Sequence, residues 1–346
     1  MKTGNFMKEI IKALIYLIIG AGIAIFFLKC PTIINYFKSS RSQPIITNQP
    51  AQIVNPQPVS SSTFYNSIKY SKPVVDISKA MTKITTNQPS ALQQRITIEK
   101  KAISPLGIGL FQPTYILPAY YTTRPDNAVY KGNTPDNQRV EPLEFKAQLS
   151  LIVPIINGEI KQKPISLDFA YTQLSYWQFY AKSQWFRETD YEPELFTSLN
   201  FHPNWWINLG TVHQSNGQGG DMERSWNRAY ANLIFSGPKW MISIQPWVLI
   251  FKSESSDLHN PNIAHYMGNG QVLFAYKFGR NEISIMARNE LESGFKRGAE
   301  EVDWSVHMWK HFYLYTQFFS GYGQSLIEYN HFTNGLGVGI ALNNWI

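Results

Sequence analysis

A short segment between residues 210 and 228 carries side chains that could hydrolyse an ester. His213 and Ser215 lie two positions apart. On a β-strand both would project from one face, with their Cα atoms about 6.6 Å apart along the chain. A histidine that removes the proton of a serine hydroxyl is the arrangement that nucleophilic catalysis requires. The spacing therefore predicts Ser215 as a nucleophile and His213 as its general base.

A third residue completes this candidate group. Asn216 and Gly217 predict a turn, after which a returning strand starts near Arg224. Asn227 would then be a cross-strand neighbour of His213. Its carboxamide oxygen can accept the imidazole N–H and fix one tautomer, as asparagine does in some cysteine proteases. Short motifs of this kind recur by chance, so a surface histidine beside an ordinary turn remains an alternative.

The residues around His213 indicate where this group would face. Trp205, Ile207, Leu209 and Thr211 precede it at a period of two, so its side of the strand is largely apolar. In the returning strand, the residues whose side chains face away from Asn227 are polar and would fill a lumen. These residues are Arg228, Tyr230 and Asn232. The pattern predicts catalytic residues on a lipid-facing surface, where a nucleophile meets lipid esters rather than solutes in a pore.

The elements that must position this group are strands. After Leu106 the chain divides into about twelve alternating segments of roughly ten residues, the length that crosses a membrane as a tilted strand. The predicted strands begin near Ile108, Leu143, Ile165, Glu194, Trp205, Arg224, Trp240, Gly270, Glu282, Val302, Phe312 and Gly335. The predicted fold is an all-β, twelve-stranded antiparallel transmembrane barrel that ends with a strand at the C-terminus. A soluble β-sandwich also alternates, but its outer face is usually polar.

Aromatic residues gather near the ends of these segments, as in the interfacial girdles of outer-membrane barrels. The tryptophans concerned are Trp177, Trp185, Trp205, Trp206, Trp226, Trp240, Trp304, Trp309 and Trp345.

Composition narrows the class of protein. Only 16% of the 346 residues are charged, against about 25% in an average soluble chain. Hydrophobic residues make up only 44%, which argues against a bundle of membrane helices. A single cysteine, Cys30, excludes a disulfide framework and a cysteine-cluster metal site. The net charge of +7 does not identify a partner, and we expect no nucleic-acid partner.

The N-terminal part of the chain predicts export. Lys2, Lys8 and Lys12 precede an apolar run over residues 13–28, which indicates a signal peptide or an N-terminal anchor within residues 1–30. Residues 31–104 are rich in Asn, Gln, Ser, Thr and Pro and predict a polar, flexible spacer. The barrel would occupy residues 105–346.

Over residues 105–346 the chain resembles the outer-membrane phospholipase A family of Gram-negative bacteria. The resemblance rests on an ordered series of motifs rather than on one patch. These are Tyr171-Thr172-Gln173, Trp177-Gln178, residues 186–193, 213–217 and 224–228, Tyr266-Met267-Gly268, Tyr315-Thr316-Gln317, residues 320–323, 325–327, and Tyr329-Asn330.

This resemblance implies an outer-membrane barrel that hydrolyses phospholipid acyl esters at the sn-1 and sn-2 positions. It implies His213 as the general base, Ser215 as the nucleophile and Asn227 as the orienting residue. It also implies a protein that is active as a calcium-bound homodimer and inactive as a monomer.

The resemblance further implies the calcium ligands and part of the dimer interface. The ligands would be the carbonyl of Gln218, the side chain of Glu223 and the carbonyl of Ser183 from the second subunit. The family usually has serine where this chain has Glu223, and a carboxylate is a good ligand for a hard cation. Gln173 would lie in the dimer interface. The alternatives are a barrel without catalysis, serving as a channel or structural protein, and a soluble secreted esterase.

Overall fold

The computed structural model describes residues 89–102, 107–251, 258–289, 293–294 and 296–346. Twelve long strands dominate it, and each is hydrogen-bonded to its sequence neighbours in antiparallel register. A two-residue strand, β1 (Gly109–Leu110), precedes them and pairs with β3. The long strands are β2 (Tyr115–Thr122), β3 (Leu143–Ile160), β4 (Lys163–Trp177), β5 (Phe186–His202), β6 (Trp205–Ser215), β7 (Ser225–Ser236), β8 (Trp240–Ile250), β9 (Gly270–Phe278), β10 (Asn281–Arg288), β11 (Ala299–Trp309), β12 (Phe312–Tyr322) and β13 (Phe332–Ala341).

The sheet closes on itself because β13 pairs with β2, with Leu336 opposite Tyr121 and Ala341 opposite Tyr115. Closure removes the unpaired strand edges that cannot exist in lipid. The predicted twelve-stranded antiparallel barrel is confirmed. The first predicted strand is wrong in position, because Ile108 precedes only the short β1 and the wall begins at Tyr115.

Side chains alternate between the two surfaces of the wall. In β12, Phe312 and Leu314 are exposed on the outside, whereas Tyr315 and Gln317 are buried inside. The lumen is filled by hydrogen-bonded polar groups. Lys146 donates to Gln317 over 2.6 Å, and Gln317 donates to Asp303 over 3.0 Å. An apolar exterior and a polar interior are the distribution expected for a barrel in a membrane.

Three of the tryptophans assigned to the aromatic girdles, Trp206, Trp226 and Trp345, pack inside the barrel instead. Trp206 and Trp226 are buried and pack in the hydrophobic clusters of the lumen. Trp304 and Trp309 are exposed on the outer surface, as predicted. The period-two rule explains the difference, because residues 206 and 226 each follow a residue whose side chain faces outwards.

The two ends of the barrel differ in the length of their connections. At one end the strands are joined by short turns, such as residues 161–162, 203–204 and 310–311. At the other end the connections are long and include residues 178–185, 216–224 and 323–331. Outer-membrane barrels place short turns in the periplasm and long loops outside, so β6 ends and β7 begins at the extracellular side.

The long-loop end is closed by the connection between β12 and β13. Residues 323–329 of this loop are all buried. The ion pairs of Arg187 with Glu144, over 2.7 Å, and with Glu328, over 2.9 Å, attach the loop to the wall. All three side chains are 1% exposed. The lumen is therefore occupied by protein at this end.

A helix, α1 (Ala91–Ala102), contacts the short-turn end. The backbone N–H of Ala91 donates to Gly237 over 2.7 Å, and that of Leu92 donates to Ser236 Oγ over 3.1 Å. This helix lies within the range that the sequence assigned to the spacer. Its apolar residues follow no helical period, so contacts with the barrel rather than sequence pattern account for its place.

The C-terminal residues also differ from expectation. The last strand ends at Ala341, and the following residues turn inwards, with Ile346 buried beside Trp206. Glu282 accepts hydrogen bonds from the backbone N–H groups of Trp345, over 2.9 Å, and Ile346, over 3.3 Å.

Across the part of the chain that the structure describes, no helix has the length and apolarity needed to cross a membrane. The predicted signal or anchor over residues 1–30, and residues 31–88 of the predicted spacer, lie outside the described residues.

Candidate active site

The three candidate catalytic residues come from adjacent strands at the extracellular end of the wall. His213 lies opposite Asn227, and Ser215 lies opposite Ser225 in the ladder between β6 and β7. His213 Nδ1 is 2.8 Å from Asn227 Oδ1. The prediction that Asn227 is the cross-strand neighbour of His213 is confirmed by this register.

All three side chains belong to the outer surface. His213 is exposed, and Ser215 and Asn227 are half-buried, whereas their strand neighbours Val212 and Trp226 are buried in the lumen. The exposed Leu209 and Thr211 extend the same face below His213. The three side chains therefore lie on the outer surface of the barrel, the side on which the sequence predicts them.

The contact with Asn227 determines which nitrogen of the His213 imidazole carries the proton. An amide oxygen only accepts hydrogen bonds, so Nδ1 of His213 carries the proton and donates to Oδ1. Nε2 is then unprotonated and has a free lone pair, as a general base requires. The chemistry available at this position is proton removal from a neighbouring hydroxyl.

Gly217 brings a backbone donor to the serine. Its N–H donates to Ser215 Oγ over 3.1 Å. Gly217 adopts a φ of +64°, and a Cβ there would lie 2.9 Å from Cε2 of Tyr191. Both the left-handed backbone and the lack of space require glycine at this position. In the sequence Gly217 is recognisable only as part of a turn, although the Asn-Gly pair is typical of a residue with positive φ.

Buried residues support β6 and β7, the strands that carry the candidate catalytic residues, from the lumen side. Trp226 Nε1 donates to Gln214 Oε1 over 2.7 Å, which ties β7 to β6 between the cross-strand pairs His213–Asn227 and Ser215–Ser225. The Arg228 guanidinium lies 4.2 Å from the centre of the Trp226 ring and pairs with Glu192 over 2.6 Å. This packing fixes the section of wall that carries His213 and Asn227.

The loop that follows Ser215 contains backbone carbonyls that accept hydrogen bonds and others that do not. Arg224 Nη1 donates to the carbonyls of Asp221, over 2.9 Å, and Glu223, over 2.7 Å. Within the described residues, the carbonyls of 217–219 accept no hydrogen bond and the Glu223 carboxylate has no polar partner. Two of the predicted calcium ligands, the Gln218 carbonyl and the Glu223 side chain, therefore retain their acceptor capacity.

The third predicted ligand, Ser183, lies in the loop between β4 and β5. Its carbonyl accepts a hydrogen bond from the Gln138 side chain, and its N–H donates to Gln138 Oε1 over 3.2 Å. Ser183 is thus held by its own subunit, and the structure does not bring it together with Gln218 and Glu223 in one chain. Within the described ranges, no group of three or more His, Cys, Asp or Glu side chains forms a metal site.

Gln173 lies on the exterior of β4, below the loops. Its side chain accepts from Tyr171 Oη over 2.9 Å and donates to Ser175 Oγ over 3.2 Å. The three residues form a short polar ladder on an otherwise apolar surface, which includes the exposed Phe169.

Comparison with known proteins identifies the family. The profile of the family described as phospholipase A1 matches residues 92–342. The chain belongs to the phospholipase A1 family. It is therefore a carboxylic ester hydrolase of the outer membrane that acts on phospholipids.

Individual relatives agree with this assignment. The chain is 36% identical over 237 residues to phospholipase A1 of Salmonella typhimurium, an overlap that covers 65% of this chain and 78% of the relative. It is also similar to the crystal structure of the Salmonella typhi outer membrane phospholipase dimer with bound calcium. The TM-score is 0.64 at 32% identity, with 70% of this chain and 95% of the other covered. The crystal structure of an active-site mutant of the Escherichia coli enzyme at pH 6.1, in which alanine replaces asparagine, gives a TM-score of 0.64 at 31% identity and covers 70% and 94% of the two chains.

Proposed function

We propose that this phospholipase hydrolyses acyl esters at the sn-1 and sn-2 positions with Ser215 as nucleophile, His213 as general base and Asn227 as orienting residue. The observation that carries the proposal is the 2.8 Å contact between His213 Nδ1 and Asn227 Oδ1 on the lipid-facing surface, beside Ser215. The alanine-for-asparagine active-site mutant of the Escherichia coli relative supports a role for an asparagine in this family.

The reaction follows from the protonation state of the imidazole. Ser215 Oγ attacks the acyl carbonyl while its proton passes to His213 Nε2, and Asn227 keeps Nδ1 directed away from the reacting atoms. Collapse of the tetrahedral intermediate releases the glycerol oxygen, which takes the proton from His213. Water activated by the same nitrogen then hydrolyses the acyl-serine ester and releases a fatty acid.

The intermediate carries a negative oxygen that requires hydrogen-bond donors. The Gly217 N–H already points to Ser215 Oγ over 3.1 Å, so it lies beside the carbon that Ser215 would attack. One backbone donor of this kind typically contributes about 10²–10³-fold to kcat.

The residues near Ser215 also fit a calcium ion. The Gln218 carbonyl and the Glu223 carboxylate are oxygen donors without partners among the described residues, and calcium binds six to eight oxygens. Bound calcium would supply positive charge for stabilising the oxyanion. Ser183 from a second subunit would add a third protein ligand to the Gln218 carbonyl and the Glu223 carboxylate. The Salmonella typhi relative is a dimer with bound calcium.

The filled lumen argues against the alternative function as a channel. Residues 323–329 are buried across the extracellular end, and the Arg187 ion pairs fix this loop. A polar interior occupied by paired side chains leaves catalysis on the outer wall as the function that the geometry favours.

Calcium dependence tests this function directly. We expect purified, refolded protein to release fatty acid from phospholipid–detergent micelles with calcium and to lose nearly all activity in EGTA. Glu223→Ala should raise the calcium concentration for half-maximal rate by about 10-fold, because a carboxylate ligand is lost. Glu159→Ala, an exposed change at the short-turn end, is the control. Equal rates with and without calcium, or planar-bilayer conductance without hydrolysis, would refute the proposal.

Gln173 tests the proposed homodimer. Gln173→Leu removes the centre of the polar ladder on β4 and should weaken calcium-dependent dimerisation about 3- to 30-fold, since a hydrogen bond between transmembrane segments contributes roughly 0.6–2 kcal/mol. Sedimentation equilibrium in detergent measures the association constant. Thr316→Val, on the exterior of β12, should leave it unchanged. Equal association of the Gln173→Leu and wild-type proteins would exclude Gln173 from the interface.

A further inference from the structure

Asn216 lies in sequence between Ser215 and Gly217, but its side chain is directed to the opposite side of the wall from that of Ser215. Ser215 belongs to the outer surface, whereas the Asn216 side chain is directed inwards and is 3% exposed. The residue follows β6 directly and begins the loop that returns to β7. Its position links the catalytic strand to the loop that carries the candidate calcium ligands.

The carboxamide of Asn216 uses both of its ends. Oδ1 accepts hydrogen bonds from the backbone N–H groups of Arg224, over 2.9 Å, and Gln218, over 3.3 Å. Nδ2 donates to the Met222 carbonyl over 2.8 Å and to Glu188 Oε2 over 3.5 Å. The backbone N–H of Asn216 donates to the Arg224 carbonyl over 3.1 Å.

These bonds restrain a loop that has little stiffness of its own. Three of its residues are Gly217, Gly219 and Gly220, and glycine has the greatest conformational freedom of any residue. The Asn216 side chain bonds to the start of the loop at Gln218, to its middle at Met222 and to its end at Arg224. The buried Asn216 side chain thus connects the start, the middle and the end of the loop by hydrogen bonds.

We propose that Asn216 is a positioning residue that fixes the Gly217 N–H and the Gln218 carbonyl relative to Ser215. This inference rests on the function proposed above. Asn216 contacts neither substrate nor calcium and acts through the loop. Its Oδ1 holds the Gln218 N–H and so restrains the peptide unit between Gly217 and Gln218, which lies between the unit that carries the Gly217 N–H and the unit that carries the Gln218 carbonyl. Its loss frees the oxyanion donor and one calcium ligand together.

Asn216→Ala and Asn216→Asp test the role. Both remove the donor to Met222, and the aspartate also places a charge beside Glu188. We expect kcat at saturating calcium to fall about 100-fold, the effect of losing one oxyanion donor, with KM for phospholipid within about 3-fold. Calorimetry should show calcium bound about 10-fold more weakly, as for loss of a residue that orients a metal ligand.

Asn343→Ala is the matched control. Asn343 is also buried, and its carboxamide also bonds to backbone groups, accepting from Thr114 over 2.8 Å and donating to Gln112 over 3.0 Å, but at the short-turn end. This variant should keep the wild-type kcat and calcium affinity. The heat-modifiable gel shift of each variant reports whether the barrel is folded.

The outcomes separate the inference from the proposed function. If Ser215→Ala retains hydrolysis, the proposed function fails whatever Asn216 does. If Ser215→Ala is inactive while Asn216→Ala keeps wild-type kcat and calcium affinity, only the positioning role is overturned. If both Asn216 variants lose the heat-modifiable form while Asn343→Ala keeps it, the role is also overturned, because Asn216 then serves folding of the barrel.

Discussion

Ser215→Ala is expected to reduce fatty-acid release from phospholipid micelles at least 10³-fold, because removal of the nucleophile of a serine hydrolase leaves only the contribution of binding and the oxyanion donors. The barrel should remain folded. Ser215 is half-buried on the outer surface, and the Gly217 N–H that donates to its hydroxyl can turn to solvent or to lipid head groups. Initial rates at saturating calcium measure the effect.

A change on the same surface provides the comparison for Ser215→Ala. Thr211→Val lies on β6, on the same outer face and four residues before Ser215. It should keep activity within about 3-fold, as expected for a surface change away from the reacting groups. A Ser215→Ala protein that still hydrolyses phospholipid would show that another group is the nucleophile.

Arg187→Met is expected to have the largest effect on stability. The guanidinium makes a bidentate contact with Glu144, over 2.7 and 2.8 Å, and bonds to Glu328 and to Tyr130 Oη over 2.9 Å each. Removing it leaves two carboxylates unpaired in a buried site. Breaking one buried pair costs about 3–5 kcal/mol, so the free energy of unfolding should fall by at least that amount. Equilibrium unfolding in guanidinium chloride in the presence of lipid or detergent measures it.

Two further variants identify the cause. Arg280→Met changes an exposed arginine whose guanidinium donates to the carbonyls of His307 and Met308, so it should lower stability by less than about 1 kcal/mol. Adding Glu144→Gln and Glu328→Gln to Arg187→Met should recover much of the loss, because the buried charges are removed. Unchanged stability in Arg187→Met would show that the ion pairs do not hold the loop between β12 and β13.

Most of the wall could be predicted from alternation alone. The predicted starts at Leu143, Trp205, Trp240, Gly270 and Phe312 coincide with the observed ones. In each of these strands, one surface must be apolar to face lipid, and a one-residue shift would invert every side chain. The sequence pattern is clear where this constraint acts over the whole strand.

The start of β5 was missed because it carries charges. The prediction placed it near Glu194, whereas it begins at Phe186. Glu188 and Asp190 look like loop residues in the sequence, yet they face the lumen and accept backbone N–H groups of Ile327 and Leu326 over 2.9 and 3.0 Å. Such partners come from residues more than 130 positions away and are invisible to a local pattern.

The candidate site was predictable to a similar degree. The period of two and the turn at Asn216-Gly217 predict Asn227 as a neighbour of His213, and the 2.8 Å contact agrees with this prediction. The inward contacts of Asn216 were missed, because they depend on how a loop with three glycines folds back on Arg224.

The outward orientation of His213 and Ser215 has a consequence for kinetics. In the proposed reaction, substrate reaches these side chains by lateral diffusion in the lipid layer, so the concentration that governs the rate is moles of phospholipid per unit of surface rather than per litre. Diluting the film with an inert detergent should slow turnover even when the total amount of phospholipid in the tube is constant. Rates for this enzyme are therefore best compared at a fixed mole fraction of lipid.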